Sequence, residues 1–175
     1  MKKVIQYSLL LIFFTLCLYL FIPKKGLYYQ FEKLIAPQEI IISNEELIEN
    51  LFSLEVKNGK LYIKDMYLTT LSFIIKSYLI NNSIEFKSFQ IGDDFIAFFP
   101  KNIEKIRIDY SLFSPKIVKL EAKGDFGEAK GYINLFKKSL YFDVNISKLL
   151  KTRYKNILHE LKKDKKGGYF YEYKY

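Results

Sequence analysis

Residues 117–146 read IVKLEAKGDFGEAKGYINLFKKSLYFDVNI, and this stretch decides the fold. Apolar and polar residues alternate from Ile117 to Lys123, and alternation resumes after each of two turn signals. The turn signals are the segment Gly124–Gly127 and the pair Lys137-Lys138. A period of two places every second side chain on the same face of a strand. The stretch therefore predicts three strands joined by tight hairpins.

The same signals extend outward in both directions. Upstream alternation involves Ile106, Ile108, Tyr110 and Leu112, and a final strand carries Tyr169, Tyr171, Tyr173 and Tyr175 on one face. The pair Asn58-Gly59 predicts a hairpin turn between Ser53–Lys57 and Lys60–Leu68. Short strands with regularly spaced turns predict an α+β fold that is mainly antiparallel β, as a curved β-sheet or open barrel.

Three helices are predicted around these strands. Apolar residues recur at helical spacing from Leu27 until Pro37, and Ser43 with Glu46 forms a capping-box pattern before a short helix through Leu51. A C-terminal amphipathic helix begins at Ser147. Its apolar stripe is Leu150, Tyr154, Ile157, Leu158 and Leu161. Its solvent-exposed face is Lys148, Lys151, Lys155, Lys162 and Lys163.

The N-terminus has the composition of a membrane segment. Val4 to Ile22 carries no charge, and its 19 residues span about 28 Å as a helix, close to the hydrocarbon thickness of a bilayer. A cleaved signal peptide has a shorter apolar run and a small-residue cleavage site, which this stretch lacks. We therefore expect an uncleaved transmembrane helix, with residues 1–25 as the anchor and residues 26–175 as one β-rich domain.

The charges around this segment bear on orientation. Lys2 and Lys3 precede it and Lys24 and Lys25 follow it, so the positive-inside rule is nearly balanced. A short N-terminal segment that begins with lysines usually stays in the cytoplasm, while the domain after the apolar helix is translocated across the membrane. We expect a single-pass protein of the bacterial inner membrane whose domain faces the periplasm.

The net charge of +9 has two interpretations. One is a negatively charged partner such as anionic lipid, for which Lys148, Lys151, Lys155, Lys162 and Lys163 are candidate contacts. The other is a solvated helix face in a chain rich in Lys, Ile and Asn. Arg107 and Arg153 are the only arginines, and Arg is the usual reader of bases and phosphates, so no nucleic-acid partner is expected.

Few residues could carry chemistry. His159 is the only histidine and Cys17 the only cysteine, and neither lies in a pattern of nucleophile, base and orienter or of metal ligands. The glycines Gly59, Gly124, Gly127 and Gly131 are interpreted as structural residues of turns and close strand packing. We therefore expect no catalytic residues, no metal and no cofactor, and hence no enzyme.

One segment has a family resemblance. The sequence LEAKGDFGEAKGYINL, residues 120–135, resembles the glycine hairpin G-x-f-G-x-x-x-G-x-v-x-L of the type II secretion system protein N family. The segment NGKLYI at 58–63 resembles that family's earlier hairpin, and the end from Tyr154 resembles small proteins of epsilon-class proteobacteria. The resemblance, which extends to AsmA-like envelope proteins, implies one N-terminal span and a periplasmic curved sheet.

Two functions are compatible with these features. The first is a non-catalytic inner-membrane protein that acts in type II-like protein secretion or assembly through contacts with other envelope proteins. The alternative is a bitopic lipid or lipopolysaccharide transport component with an apolar groove. The two differ in whether the apolar sheet face is filled by the chain's own side chains or is left open.

Overall fold

A computed structural model of the chain describes residues 2–64, 66–90, 102–148, 152, 158, 161–163 and 168–175. The N-terminal part is helical. Helix α1 is Lys2–Phe21, helix α2 is Lys24–Ile35, and Ala36–Gln38 forms one 3-10 turn. The strands are β1 Ile40–Ser43, β2 Glu46–Asn50, β3 Ser53–Ile63, β4 Met66–Ser77, β5 Asn81–Gln90, β6 Asn102–Ser111, β7 Ile117–Gly124, β8 Gly127–Asn134, β9 Ser139–Ile146, β10 Lys162–Lys163 and β11 Tyr169–Lys174.

The strands form one open antiparallel sheet. Its order is β1-β3-β4-β5-β6-β7-β8-β9-β11-β10, and β2 also pairs with β3. The first and last of these strands do not pair with each other, so among the described residues the sheet does not close into a barrel. The expected class, α+β and mainly antiparallel β after an N-terminal apolar helix, is confirmed. The predicted helix from Leu27 to Pro37 is also confirmed, as α2 and its 3-10 extension.

Two unbroken rows of apolar residues cross one face of this sheet. The first row is Val56, Phe73, Phe86, Ile106, Ala122, Ala129, Val144 and Tyr169, each paired with the next. The second row is Leu54, Ile75, Ile84, Ile108, Leu120, Gly131, Phe142 and Tyr171. We call these two rows the apolar track. Because neighbouring strands lie about 4.8 Å apart, the track extends roughly 34 Å.

The opposite face of the sheet carries ion pairs over β5 and β6. Lys105 pairs with Glu85 across strands at 3.3 Å, and Arg107 binds Asp109 on the same strand at 2.8 Å. Exposed ion pairs of this kind contribute little to stability. Further along the same face the rings of Tyr132, Tyr141 and Phe170 stack on one another. This face therefore mixes charged and aromatic residues, whereas the face with the track is apolar.

Only one end of the apolar track is buried. Tyr28 of α2 packs against Leu54, Val56, Leu71 and Phe73, which are exposed by 7% or less. Burying such side chains contributes about 1.5–3 kcal/mol each. From β5 onward, the described track residues are only half-buried. The core therefore lies under α2 at the β3–β4 end of the sheet.

The short helix predicted from Ser43 to Leu51 is wrong. Residues Glu46–Asn50 form β2, which pairs with residues 53–57 of β3 through a two-residue turn. A helix this short is marginal in isolation, whereas the strand gains backbone hydrogen bonds along the free edge of β3 and packs Leu47 against the core. Tertiary pairing therefore outweighs the capping signal.

The hairpin turn predicted at Asn58-Gly59 is also wrong. Strand β3 runs through both residues, and its pairing with β4 shifts between Val56 and Gly59, which is a β-bulge. Asn58 has a φ of 56°, so the pair does adopt unusual backbone geometry without reversing the chain. The actual reversal follows Ile63. The bulge divides the outer edge of β3 between β1 and β2.

The C-terminal segment is partly described. Lys148, Thr152 and Leu158 are helical, and the rest of the predicted helix up to His159 lies outside the described residues. Lys162 and Lys163 form β10 and pair with Phe170 and Tyr169, so their placement on the helix is wrong. The predicted tyrosine strand is confirmed as β11, which pairs with β9.

Gly124, Gly127 and Gly131 lie where the neighbouring backbone leaves no room for a side chain. Gly127 begins β8 with a φ of 110°, which side-chain-bearing residues rarely adopt. A Cβ on Gly124 would lie 2.5 Å from the Asn102 carbonyl oxygen. A Cβ on Gly131 would collide with the carbonyl oxygen of Tyr141 and the ring of Phe142. The hairpins therefore require glycine at these positions.

Replacing Gly131 should destabilise the sheet. We expect Gly131→Val to lower the free energy of unfolding by at least about 2 kcal/mol, because the new side chain cannot fit between β8 and β9. Gly168→Ala is the control, since an added Cβ there meets nothing within 4 Å. Denaturant titration of the full chain in detergent, followed by far-UV circular dichroism, measures both. Equal stability of the two variants would contradict the assignment.

Candidate functional site

A cavity of about 490 Å³ lies at the buried end of the apolar track. Its lining comes from the end of α1, from α2, and from strands β1, β3, β4 and β5. The volume lies within the range of about 300–1,000 Å³ that small-molecule sites occupy. The lining is almost wholly aliphatic and aromatic. The exceptions are Lys24, Ser77 and the hydroxyls of Tyr19 and Tyr28.

The last turn of α1 forms part of this cavity. Tyr19 of this turn and Ile22, just after the helix, line the cavity, and the Tyr19 hydroxyl lies 3.1 Å from Ser77 Oγ at the end of β4. Ser77 donates its own proton to Asn82 Oδ1 at 3.0 Å, so the Tyr19 hydroxyl is the donor in the first bond. The apolar helix and the sheet therefore meet at a defined point.

A second bond fixes the start of α2. The backbone N–H of Lys24 donates to Glu49 Oε1 at 2.8 Å. A carboxylate at a helix N-terminus satisfies a backbone donor and complements the helix dipole. Glu49 belongs to β2, the strand that the sequence predicted as a helix. This bond therefore ties α2 to the edge of the sheet next to the cavity.

Tyr28 is the polar group at the inner wall of the cavity. Its ring packs 6.4 Å from that of Phe73, and its hydroxyl is buried without a well-formed hydrogen bond among the described residues. Burial raises the pKa of Tyr28, and the carboxylates of Glu32 and Glu45 raise it further. Burial also raises the pKa of Glu32, one turn later in α2.

The cavity opens onto the rest of the apolar track. Ile84 and Phe86 of β5 line it, and they pair directly with Ile108 and Ile106 of β6. From there both rows run on to β11 with half-buried side chains. The cavity and the track thus form one continuous apolar surface that begins at the end of α1.

The predicted site residues lie at different places. Gly59 is buried in the bulge of β3, where an added Cβ would lie 3.3 Å from Ile42 Cγ2, and it is not a turn residue. The candidate lipid contacts Lys148, Lys162 and Lys163 are exposed. Lys163 also lies over the ring of Tyr169, 5.7 Å from its centre. Lys151 and Lys155 lie outside the described residues.

Sequence reasoning did not find the cavity. Tyr19 and Ile22 were explained by the apolar segment, and the spacing of Tyr28 and Ile35 was explained by an amphipathic helix. The available signal was that α2 carries more apolar residues than one buried stripe requires. In the part of the chain that the structure describes, no group of three His, Cys, Asp or Glu side chains could hold a metal ion.

Comparison of the chain with protein-family models, with curated proteins and with solved structures gives no match. The similarity of the Gly124–Gly131 hairpin to type II secretion system protein N therefore stays a prediction. Helix α1 is long and apolar enough to cross a membrane, by length and composition. A signal sequence passes the same test.

The hydroxyl of Tyr28 should not stabilise the ligand-free protein. We expect Tyr28→Phe to leave the free energy of unfolding unchanged or raise it by about 1 kcal/mol, because a buried hydroxyl without a good partner is unfavourable. Tyr28→Ala should lower it by about 3–5 kcal/mol by removing the buried ring. Tyr29→Phe, at a half-exposed position, is the control. Thermal melts would refute this if Tyr28→Phe alone destabilised the chain.

Proposed function

We propose that this protein is a non-catalytic, single-span membrane protein that takes one hydrocarbon chain of a membrane lipid into the cavity and along the apolar track. It is the alternative of the two functions compatible with the sequence. The observation that carries it is the lining of the cavity, which combines Tyr19 and Ile22 at the end of α1 with the apolar face of the sheet.

The contacts of α1 support a retained anchor. A helix of 20 residues spans about 30 Å, the thickness of the hydrocarbon core. If a peptidase removed this helix, the cavity would lose the wall formed by Tyr19 and Ile22, and Ser77 would lose the hydroxyl that donates to it. The proposed protein therefore keeps its N-terminal helix in the inner membrane.

The energetics favour exchange of a chain with the bilayer. Moving a CH₂ group from an apolar environment into water costs about 0.8 kcal/mol, so a lipid chain does not cross water readily. A cavity that begins at the end of a spanning helix offers a second apolar environment without that step. The half-buried track from β5 to β11 would extend the same environment. Uptake then needs little net free energy.

Cross-linking to a lipid tests the cavity directly. Full-length protein would be reconstituted with a phosphatidylethanolamine analogue that carries a diazirine near the end of one acyl chain. After illumination, mass spectrometry should find adducts on residues 54–86 as well as on α1, which reports ordinary bilayer contact. Adducts confined to α1 and α2 would exclude uptake by the sheet.

A pair of variants separates uptake from surface contact. Ile75 lines the cavity, and its neighbour Lys76 lies on the opposite face of β4. Ile75→Trp should lower the adduct yield on residues 54–86 by about tenfold, equivalent to about 1.4 kcal/mol of binding. Lys76→Trp, with the same added volume, should leave it unchanged. Equal yields in the two variants would mean that the labelled lipid lies outside the cavity.

The proposed orientation places the sheet in the periplasm. A reporter that is active only in the periplasm should be active when fused after Tyr175, because a short lysine-headed leader remains in the cytoplasm. A reporter that is active only in the cytoplasm should be inactive at the same position. The reverse pair of activities would contradict the topology and would place lipid uptake at the cytoplasmic leaflet.

Protein contacts in type II-like secretion remain the other proposal. They rest on the resemblance of the hairpin at Gly124–Gly131. They would gain support if adducts were absent from the sheet while pull-downs of the anchored protein captured secretion components. The half-buried track would then serve as a surface for a partner's apolar side chains.

A further inference from the structure

The turns at one end of the strands carry large apolar residues. Among the described residues, four turns lie at this end of the strands, at residues 51–52, 78–80, 112–116 and 135–138. We call these four turns the tip row. Their exposed apolar members include Leu51, Tyr78, Leu79, Leu112, Phe113, Leu135 and Phe136; Phe113 is 81% exposed and Phe136 is 71% exposed. Exposed aromatic side chains in each of these four turns form an apolar surface of the kind that marks an interaction site.

Helix α1 contacts the sheet at this same end of the strands. Tyr19 binds Ser77, the last residue of β4 before the turn at 78–80. The turns at 51–52 and 78–80 also touch each other, because Ser77 N–H donates to the carbonyl of Phe52 and the rings of Phe52 and Tyr78 stack. The tip row thus begins where the apolar helix ends. Successive turns of the tip row are two strands apart, so the row extends over six strand spacings, or roughly 30 Å.

The lysines of the tip row and the composition of the turns at the opposite end of the strands both favour a membrane as the partner. Lys116, Lys137 and Lys138 lie in these turns, and Lys116 is over the ring of Phe136 at 5.1 Å. Basic residues interleaved with aromatic and aliphatic ones are the composition of a membrane interface. At the opposite end of the strands, the described turn residues are Lys64, Asp125 and Phe126. Phe126, the aromatic residue among them, is half-buried, so these turns present no comparable apolar surface.

We propose that the tip row lies in the bilayer surface into which α1 leads, with its apolar tips in the acyl region and its lysines among anionic headgroups. The strands then stand on the membrane by their ends, and the apolar track runs parallel to the bilayer. This seating requires α1 to span the membrane, as under the proposed function. It does not require lipid in the cavity, so the two tests fail separately.

Depth-dependent quenching tests the seating. Full-length protein with Cys17→Ser would receive one cysteine, Phe113→Cys or Phe136→Cys, labelled with an environment-sensitive fluorophore. Vesicles would contain equal parts of phosphatidylethanolamine and phosphatidylglycerol. Glu128→Cys is the matched control, because it lies near the opposite end of β8, the strand that leads to Phe136. Leu112→Cys and Leu135→Cys provide second positions if either label disturbs folding.

Labels on the tip row should be quenched at least about twofold more than the Glu128 label by a lipid nitroxide near the headgroup, since interfacial residues lie roughly 5–10 Å deep. Dissolved iodide should quench them less than the control. Tip labels as accessible to iodide as the Glu128 label would overturn the proposal. Lipid quenching of all labels alike would overturn it as well, because the sheet would then lie flat on the membrane.

Discussion

An open sheet with one apolar face must bury that face against a second layer. In this chain the two rows of the apolar track cross eight strands, while α2 covers only the end formed by β3 and β4. Over the remainder, the described side chains are half-buried. The cavity, the contacts of α1 and the tip row all follow from this incomplete cover. A membrane lipid is the second layer that we propose.

The glycines and the bulge serve the same surface. Gly131 stands in the second row of the track, where the ring of Phe142 lies over the position that a Cβ would occupy. The bulge at Asn58-Gly59 separates the parts of β3 that pair with β1 and with β2, and Glu49 of β2 binds the start of α2. Small residues therefore shape both ends of the apolar face, without themselves contacting a ligand.

The strands from Ile117 to Ile146 could be predicted because alternation, hairpin turns and pairing partners lie next to one another in sequence. The segments at Glu46–Asn50 and Asn58-Gly59 could not, because a capping-box pattern and an Asn-Gly pair are local signals, and strand pairing with β3 or β4 overrides them. The cavity was hidden for a different reason. Residues such as Tyr19 and Tyr28 already had a sufficient explanation in the helices, and a sequence does not show which sheet face those helices meet.

The geometry also bears on how a lipid would move. If the tip row lies in the bilayer, each hairpin that joins strands of the track has its end among acyl chains, and over most of the sheet the second row lies about four residues, or roughly 13 Å, above the turns. The apolar row of Tyr110, Val118, Ile133 and Leu140 lies between the second row and the turns. A chain could then enter along the whole lower margin of the track, instead of only at the cavity beside α1. The cavity would differ from the rest of the track by being covered by α2. Entry would therefore be distributed along the sheet, whereas retention would be confined to the end where Tyr28, Val56 and Phe73 are packed.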